Sequence, residues 1–312
     1  MTHTLLRFNM ASATSSPADR SRMHATMLDL CTAADAAGVD ELTFSEHHAT
    51  GNRSMTSPLV LAAAALARTS RIRVNVSALL LPLAEPVRVA EDLATLDVAF
   101  PGRVRVVVAL GYRPEEYALF GKPFAARGRL MDEALARLLE VWPEASAGQR
   151  LAVGGQSTAA ARRAVRFGLP FAPRSHLPEL RDRYGELCTE AGVEPACWMP
   201  SERFVQVHVT DDPERAWPVV GPRYLEDAQE YARWQGEGPR SPVFTAAGSA
   251  EELRRSGAVE VVTAKECLAL AAGGPDVTLC LHPLAGGMPD VEARGSVDRF
   301  LHEVLPKLGE HP

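Results

Sequence analysis

Between Glu41 and Gly121 strand-like and helix-like stretches follow one another in strict turn. An apolar strand from Glu41 runs into Glu46-His47-His48, and Ser57-Pro58 then opens an Ala/Leu helix. Ile72–Leu81 is a long apolar run, Pro86–Ala99 has helical spacing, and the valine-rich Val104–Leu110 ends at Gly111-Tyr112. This is two βαβ units sharing a strand. Helical crossovers join parallel strands, and a parallel sheet carries helices over its faces, so the strands are expected to be buried on both sides.

The same rhythm continues on either side. Strands are expected at Leu5–Ala11, Leu151–Gly154, Leu169–Ala172, Arg203–Thr210 and Val277–Leu281. Ser16-Pro17 marks a helix start and Gly38 its end. Further helices are expected over Pro114–Phe120 and Pro123–Trp142, from Ser157 or Thr158 to Phe167, over Leu177–Ala191, from Pro213, and over Val291–Leu305. Gln235–Gly248 is rich in Gly, Pro and Ser and reads as a loop, with no clear register before Ala264. Eight βα units in 312 residues argue for a (β/α)8 TIM barrel rather than an open sheet. The expected organisation is one domain over residues 1–312 with an irregular insertion around 235–263.

Composition narrows the function. A net charge of −6 without a basic run argues against nucleic acid as the main partner. No stretch reaches the ~20 apolar residues of a membrane helix, and the first residues lack a secretory apolar core. Cys31, Cys188, Cys197, Cys267 and Cys280 are odd in number and form no CxxC, which fits reduced thiols in a cytoplasmic protein.

In a barrel of this kind the loops after the strands build the reactive face. They deliver Asn9 and Ser12, then Glu46, His47 and His48, then Ser77 and Ala78, then Gly111, Tyr112 and Arg113. Later strands add Gly154, Gly155, Gln156 and Ser157, then Arg174, Ser175 and His176, and finally His282. Glu46-His47-His48 is the densest polar cluster. Neighbouring histidines on an extended segment point to opposite sides, and neither HxH nor HExxH occurs, so no metal is expected there. An inward histidine near a cofactor suits proton transfer near neutral pH; a hydrogen-bonded structural histidine is the alternative. Gly155-Gln156-Ser157 before a helix is a turn that can admit an anion, although glycine turns before helices are common.

Glu46-His47-His48, Pro82, the run Glu85-Pro86-Val87-Arg88-Val89-Ala90-Glu91-Asp92 with Leu96-Asp97, Gly102-Arg103, Gly111-Tyr112 and Phe120-Gly121 resemble the bacterial luciferase-like, flavin-dependent monooxygenase family. The ordered set, over about eighty residues, carries the resemblance. It implies the same barrel and an enzyme in which reduced FMN and O2, through a flavin C4a-hydroperoxide, oxidise a small hydrophobic substrate. It implies catalysis by His47 with Glu46 and His48 in support. It further implies a non-prolyl cis peptide at Ser77-Ala78 behind the flavin ring, and flavin contacts from Gly111, Tyr112, Gly155, Gln156 and Ser157. Many relatives carry an arginine where this chain has Leu110; Arg113, Arg127 or Arg129 are the expected substitutes. No nucleotide fingerprint for NAD(P) is present, so a separate flavin reductase is the implied partner, and the family is commonly homodimeric. A deazaflavin coenzyme with hydride transfer, or a non-catalytic partner subunit, are the other readings.

Overall fold

The computed structural model describes residues 2–12, 16–144, 150–234 and 247–308. Its core is one nine-stranded, all-parallel sheet: β1 Thr2–Phe8, β2 Glu41–Phe44, β3 Arg73–Leu79, β4 Val104–Val108, β5 Leu151–Gly154, β6 Phe171–Ala172, β7 Arg203–Val209, β8 Glu260–Val262 and β9 Val277–Leu281. The spatial order is β6-β5-β4-β3-β2-β1-β9-β7-β8. β1 therefore lies between the second and the last strand, which is how a sheet curls into a ring. At the seam, Phe171 N–H donates to the Ala196 carbonyl and Trp198 N–H to the Phe171 carbonyl, so the segment leading into β7 lies against β6. The fold is a (β/α)8 barrel in which β1 to β7 and β9 are the eight expected strands.

Helices α1 Pro17–Ala37, α2 Pro58–Ala67, α3 Pro86–Ala99, α4 Pro114–Leu119, α5 Arg127–Val141, α6 Thr158–Arg166, α7 Pro178–Ala191, α8 Pro213–Trp234, α9 Ala250–Ser256, α10 Ala264–Ala271 and α11 Asp290–Arg299 join the strands. Several start as the sequence expects: Ser16 accepts from Asp19 N–H in a reciprocal capping box, and α1 stops at Gly38 with φ 97°. The outward residues of the strands, among them Leu6, Phe8, Leu42, Phe44, Val74, Val76, Val106, Val108, Leu279 and Leu281, pack with the helices in one buried cluster.

Three differences from the sequence reading have physical causes. The strands are not apolar on both faces. The alternate positions Arg7, Thr43, Asn75, Arg105 and Gln206 point the other way, into a polar lumen where Thr43 and Asn75 both donate to Glu41 at 3.1 Å. β1 runs Thr2–Phe8 rather than Leu5–Ala11. Its early polar residues pair with β9, while Met10 takes φ 56° and the Asn9 amide oxygen accepts from Ala11 N–H. Residues 250–262, read as part of an irregular stretch, form α9 and the short edge strand β8; residues 235–246 of that stretch lie outside the described residues. Among the described residues no helix is long and apolar enough to cross a membrane.

Candidate active site at the carboxyl ends of the strands

The ends of β2 and β4 meet around one carboxylate. Glu116, in α4 just beyond β4, is 1% exposed. Its Oε1 accepts from His48 N–H at 3.0 Å, lies 3.4 Å from His47 Nδ1 and lies 3.3 Å from an Arg113 guanidinium nitrogen. Arg113 also donates to the carbonyls of His48 and Ala49 and stacks 4.6 Å from the Trp234 ring centroid. Burial pushes the Glu116 carboxyl up, but hydrogen bonds from His47 and the His48 amide and the nearby Arg113 outweigh it, leaving it below its usual range. Burial pulls the His47 imidazole down, more than Glu116 raises it; Arg113 and Arg7 act in the same direction as burial. A neutral imidazole donating from Nδ1 to an ionised carboxylate satisfies both shifts, and it leaves Nε2 as the ring's acceptor.

Glu46 and His48 form a brace. His48 Nε2 lies 2.7 Å from Glu46 Oε1, and Glu46 Oε2 accepts from Leu80 N–H at 2.7 Å. The brace joins the end of β2 to the end of β3, beside the Ser77-Ala78 peptide, which is cis. His48 also meets the edge of Phe120. The two histidines diverge, as extended backbone requires.

Three aromatic rings surround His47: Tyr112 at 6.0 Å, Tyr231 at 5.3 Å and Trp234 at 4.7 Å between centroids. The last two come from α8, which lies over the mouth of the barrel. Its Tyr224, Asp227, Tyr231 and Trp234 form a stripe at spacings of three and four. Tyr224 meets His208 of β7, and Asp227 accepts from the Asn9 amide. Arg7 sits over Tyr231 at 5.2 Å. His282, beyond β9, lies 3.6 Å from Asp227 through Nδ1 and 3.2 Å from Asn9 Oδ1 through Nε2.

The ends of β5 and β6 make the opposite wall. Pairing of Gly154 with Ala172 sets Gly155–Ser157 beside Pro173–Ser175. Gln156 Nε2 donates to Ser175 Oγ at 2.6 Å, and Arg174 donates to Gln156 Oε1 at 2.8 Å. Ser157 caps α6. A Cβ at Gly154 would lie 2.6 Å from Val107 Cγ1, and one at Gly155 would lie 2.5 Å from Ala160 Cβ, so both positions require glycine. Tyr112 links the walls: its ring faces His47, and its phenol and Arg174 interact electrostatically.

The remaining expected residues divide. Gly111 takes φ 72° against Leu80, and the Leu110 carbonyl accepts from Tyr117. Arg113 belongs to the Glu116 cluster. Arg127 is held 4.2 Å over Phe124 and donates to its carbonyl. Arg129 lies on the outer face of α5 paired with Glu133, both side chains more than half exposed, so it does not join the mouth. Among the described residues no cluster of His, Cys, Asp and Glu could hold a metal ion. Sequence reading missed Glu116, hidden beside Glu115 in an ordinary acidic first turn. It also missed Tyr231, Trp234 and Asp227, for which the spacing along α8 was an available signal. A cavity of about 420 Å³ in the β2–α2 loop is lined by Met10, His24, Ala49, Arg53, Met55 and Val60 among others; it adjoins the His47 cluster, since the Ala49 carbonyl accepts from Arg113 and the Met55 carbonyl from the His47 N–H.

The strand ends of this parallel barrel collect a buried histidine-carboxylate pair, a cis peptide and a glycine turn. The chain belongs to the luciferase-like monooxygenases, whose family profile matches residues 5–260. The alkanal monooxygenase alpha chain of a Kryptophanaron alfredi symbiont is 30% identical over 114 residues, 36% of this chain and 32% of that one. The 4-hydroxyprotoasukamycin monooxygenase of Streptomyces nodosus subsp. asukaensis is 26% identical over 280 residues, 77% of this chain and 74% of that one. The chain thus spans about a third of the length of the first of these relatives. Among solved structures, the monooxygenase RslO1 from Streptomyces bottropensis superposes with a TM-score of 0.72 at 21% identity, over 96% of this chain and 98% of that one. The oxygenating constituent of 3,6-diketocamphane monooxygenase from Pseudomonas putida, solved in complex with FMN, gives 0.65 at 20%, over 98% of each chain. An F420-dependent secondary alcohol dehydrogenase gives 0.60 at 17%, over 97% and 98%.

Proposed function

We propose that the chain is a monooxygenase that binds reduced FMN in the barrel mouth and oxidises a small hydrophobic organic molecule with O2. The observation that carries this reading is the His47–Glu116 pair, buried at the carboxyl end of β2 beside the cis Ser77-Ala78 peptide. The residues present fit a flavin. The glycine turn after β5 leaves no room for a side chain, and Gln156, Ser157, Arg174 and Ser175 offer polar groups to a phosphate. Ala78 and Tyr112 offer small or flat surface to a ring system.

Bound reduced flavin supplies the two electrons that let O2 deliver one oxygen atom to the substrate and release the other as water. The chain's own residues do the rest. Glu116 holds the His47 ring through Nδ1, so that Nε2 can take or return a proton at the reacting centre. Glu46 and His48 keep the ends of β2 and β3 together. Tyr112, Tyr231 and Trp234 exclude water from the imidazole. A flavin reductase supplies the reduced cofactor. Two copies pair through α2 and α3, whose Val60 and Val98 are 68% and 81% exposed.

Anaerobic titration with reduced FMN and, separately, with the reduced deazaflavin tests the reading. Saturable binding of FMN, followed by oxidation of an aldehyde, ketone or aromatic polyketide on mixing with air, is the expected result. Binding of the deazaflavin alone, with hydride transfer to or from an alcohol or carbonyl compound and no use of oxygen, would replace it with the dehydrogenase reading. Binding of neither would favour a partner subunit without catalysis.

A further inference from the structure

Leu110 puts an uncharged side chain at the end of β4, so the strand that borders the glycine turn brings no cation to it. Arg113 is buried against Glu116 beneath Trp234, and Arg129 faces outward. The structure assigns this task to the neighbouring strand: we infer that Arg174, beyond β6, pairs with the terminal phosphate of the cofactor. The inference rests on the FMN reading above and names the residue that sets phosphate affinity there.

The register places Arg174. β5 and β6 pair through Val153 with Phe171 and Gly154 with Ala172, so Gln156 and Arg174 leave adjacent strands side by side. Arg174 Nη2 donates to Gln156 Oε1 at 2.8 Å; Gln156 then has its Nε2 turned to Ser175 Oγ at 2.6 Å. The contact fixes which end of the Gln156 amide faces the cation, and it holds the guanidinium at the rim of the turn. A guanidinium presents its N–H donors in a planar fork that matches phosphate oxygens. Tyr112, which interacts with Arg174 electrostatically, is a neutral phenol, since burial raises its pKa, with Tyr231 and Glu116 adding to the rise. The phenol therefore brings no negative charge to compete with a phosphate. The arrangement is a cation braced by an amide, flanked by the Ser157 and Ser175 hydroxyls, at the edge of a turn open to backbone approach.

Comparing FMN with riboflavin isolates the phosphate. In anaerobic titrations of the full-length protein with each reduced flavin, Arg174→Ala is expected to weaken FMN about 10- to 100-fold, the range for a lost charge-assisted contact. Riboflavin affinity should stay nearly unchanged, and Arg174→Lys should recover part of the FMN affinity. Equal weakening of both flavins would make Arg174 a structural support for Gln156 and overturn the inference. Unchanged FMN affinity would overturn it as well. Wild-type protein that binds neither flavin would instead defeat the FMN reading on which the inference stands. Circular dichroism of the variant establishes that any loss is not misfolding, and the exposed position of Arg174 favours a folded variant.

Discussion

Replacing His47 with alanine is expected to lower turnover with reduced FMN by about 10²–10⁴-fold, the usual contribution of a positioned acid or base, while flavin affinity changes little. The separation follows from position. His47 contacts Glu116, Tyr112, Tyr231 and Trp234, whereas the polar groups suited to the phosphate stand across the mouth on β5 and β6. The pH profile offers a second reading of the same residue. Burial holds the imidazole below its ordinary value of 6.5, so the neutral form dominates at pH 7 and is lost only as pH falls through the depressed value. Wild-type activity should therefore keep its plateau below pH 6.5 and fall on further acidification, and the variant should lose that limb. Turnover equal to wild type, or an unchanged acid limb in the variant, would remove His47 from the chemistry.

Glu116→Ala is expected to be the most destabilising single change at the site, by about 3–5 kcal/mol, the cost of removing one partner from a buried ion pair. Three groups lose a partner together: His47 Nδ1, the His48 amide and an Arg113 nitrogen that keeps only the His48 carbonyl, in a region where Arg113 is 6% exposed. About 5–8 °C of melting temperature is at stake in a protein of this size. Glu116→Gln keeps an acceptor and removes the charge, so it should lose less stability. It should also lower the His47 pKa further, because the carboxylate opposes the effect of burial. A melting temperature unchanged in Glu116→Ala would mean that the carboxylate is not the hub the geometry describes.

Much of the fold was legible because each expected strand lies between recognisable helix starts and stops: Ser16-Pro17, Ser57-Pro58 and Glu85-Pro86 before helices, Gly38 and Gly192 after them. β8 escaped because its three residues carry too little pattern to distinguish them from a loop. The polar lumen escaped because burial on both faces was inferred for apolar runs, whereas Arg7, Asn75 and Arg105 show that the inner face tolerates polar and charged side chains when each has a partner, here Tyr231, Glu41 and Trp198. At the site, the motif Glu46-His47-His48 and the turn Gly155-Gln156-Ser157 could be located because they are local in sequence. Glu116 could not, and the helical spacing of Tyr231 and Trp234 marks a shared face but not its partner; their relation to His47 arises only when α4 and α8 are brought over the mouth. The expected phosphate cations fared unevenly for the same reason: Arg113 turned inward to Glu116, and Arg129 outward to Glu133.

The central claim is spatial, and a crystal structure of the protein with FMN tests it most directly. The expected electron density puts the ring system against Ala78 with His47 facing it, and the phosphate between the Gln156-Ser157 turn and Arg174. FMN seated instead in the cavity bounded by Met10, Arg53 and Met55, with the His47 mouth filled only by its own aromatic side chains, would contradict it.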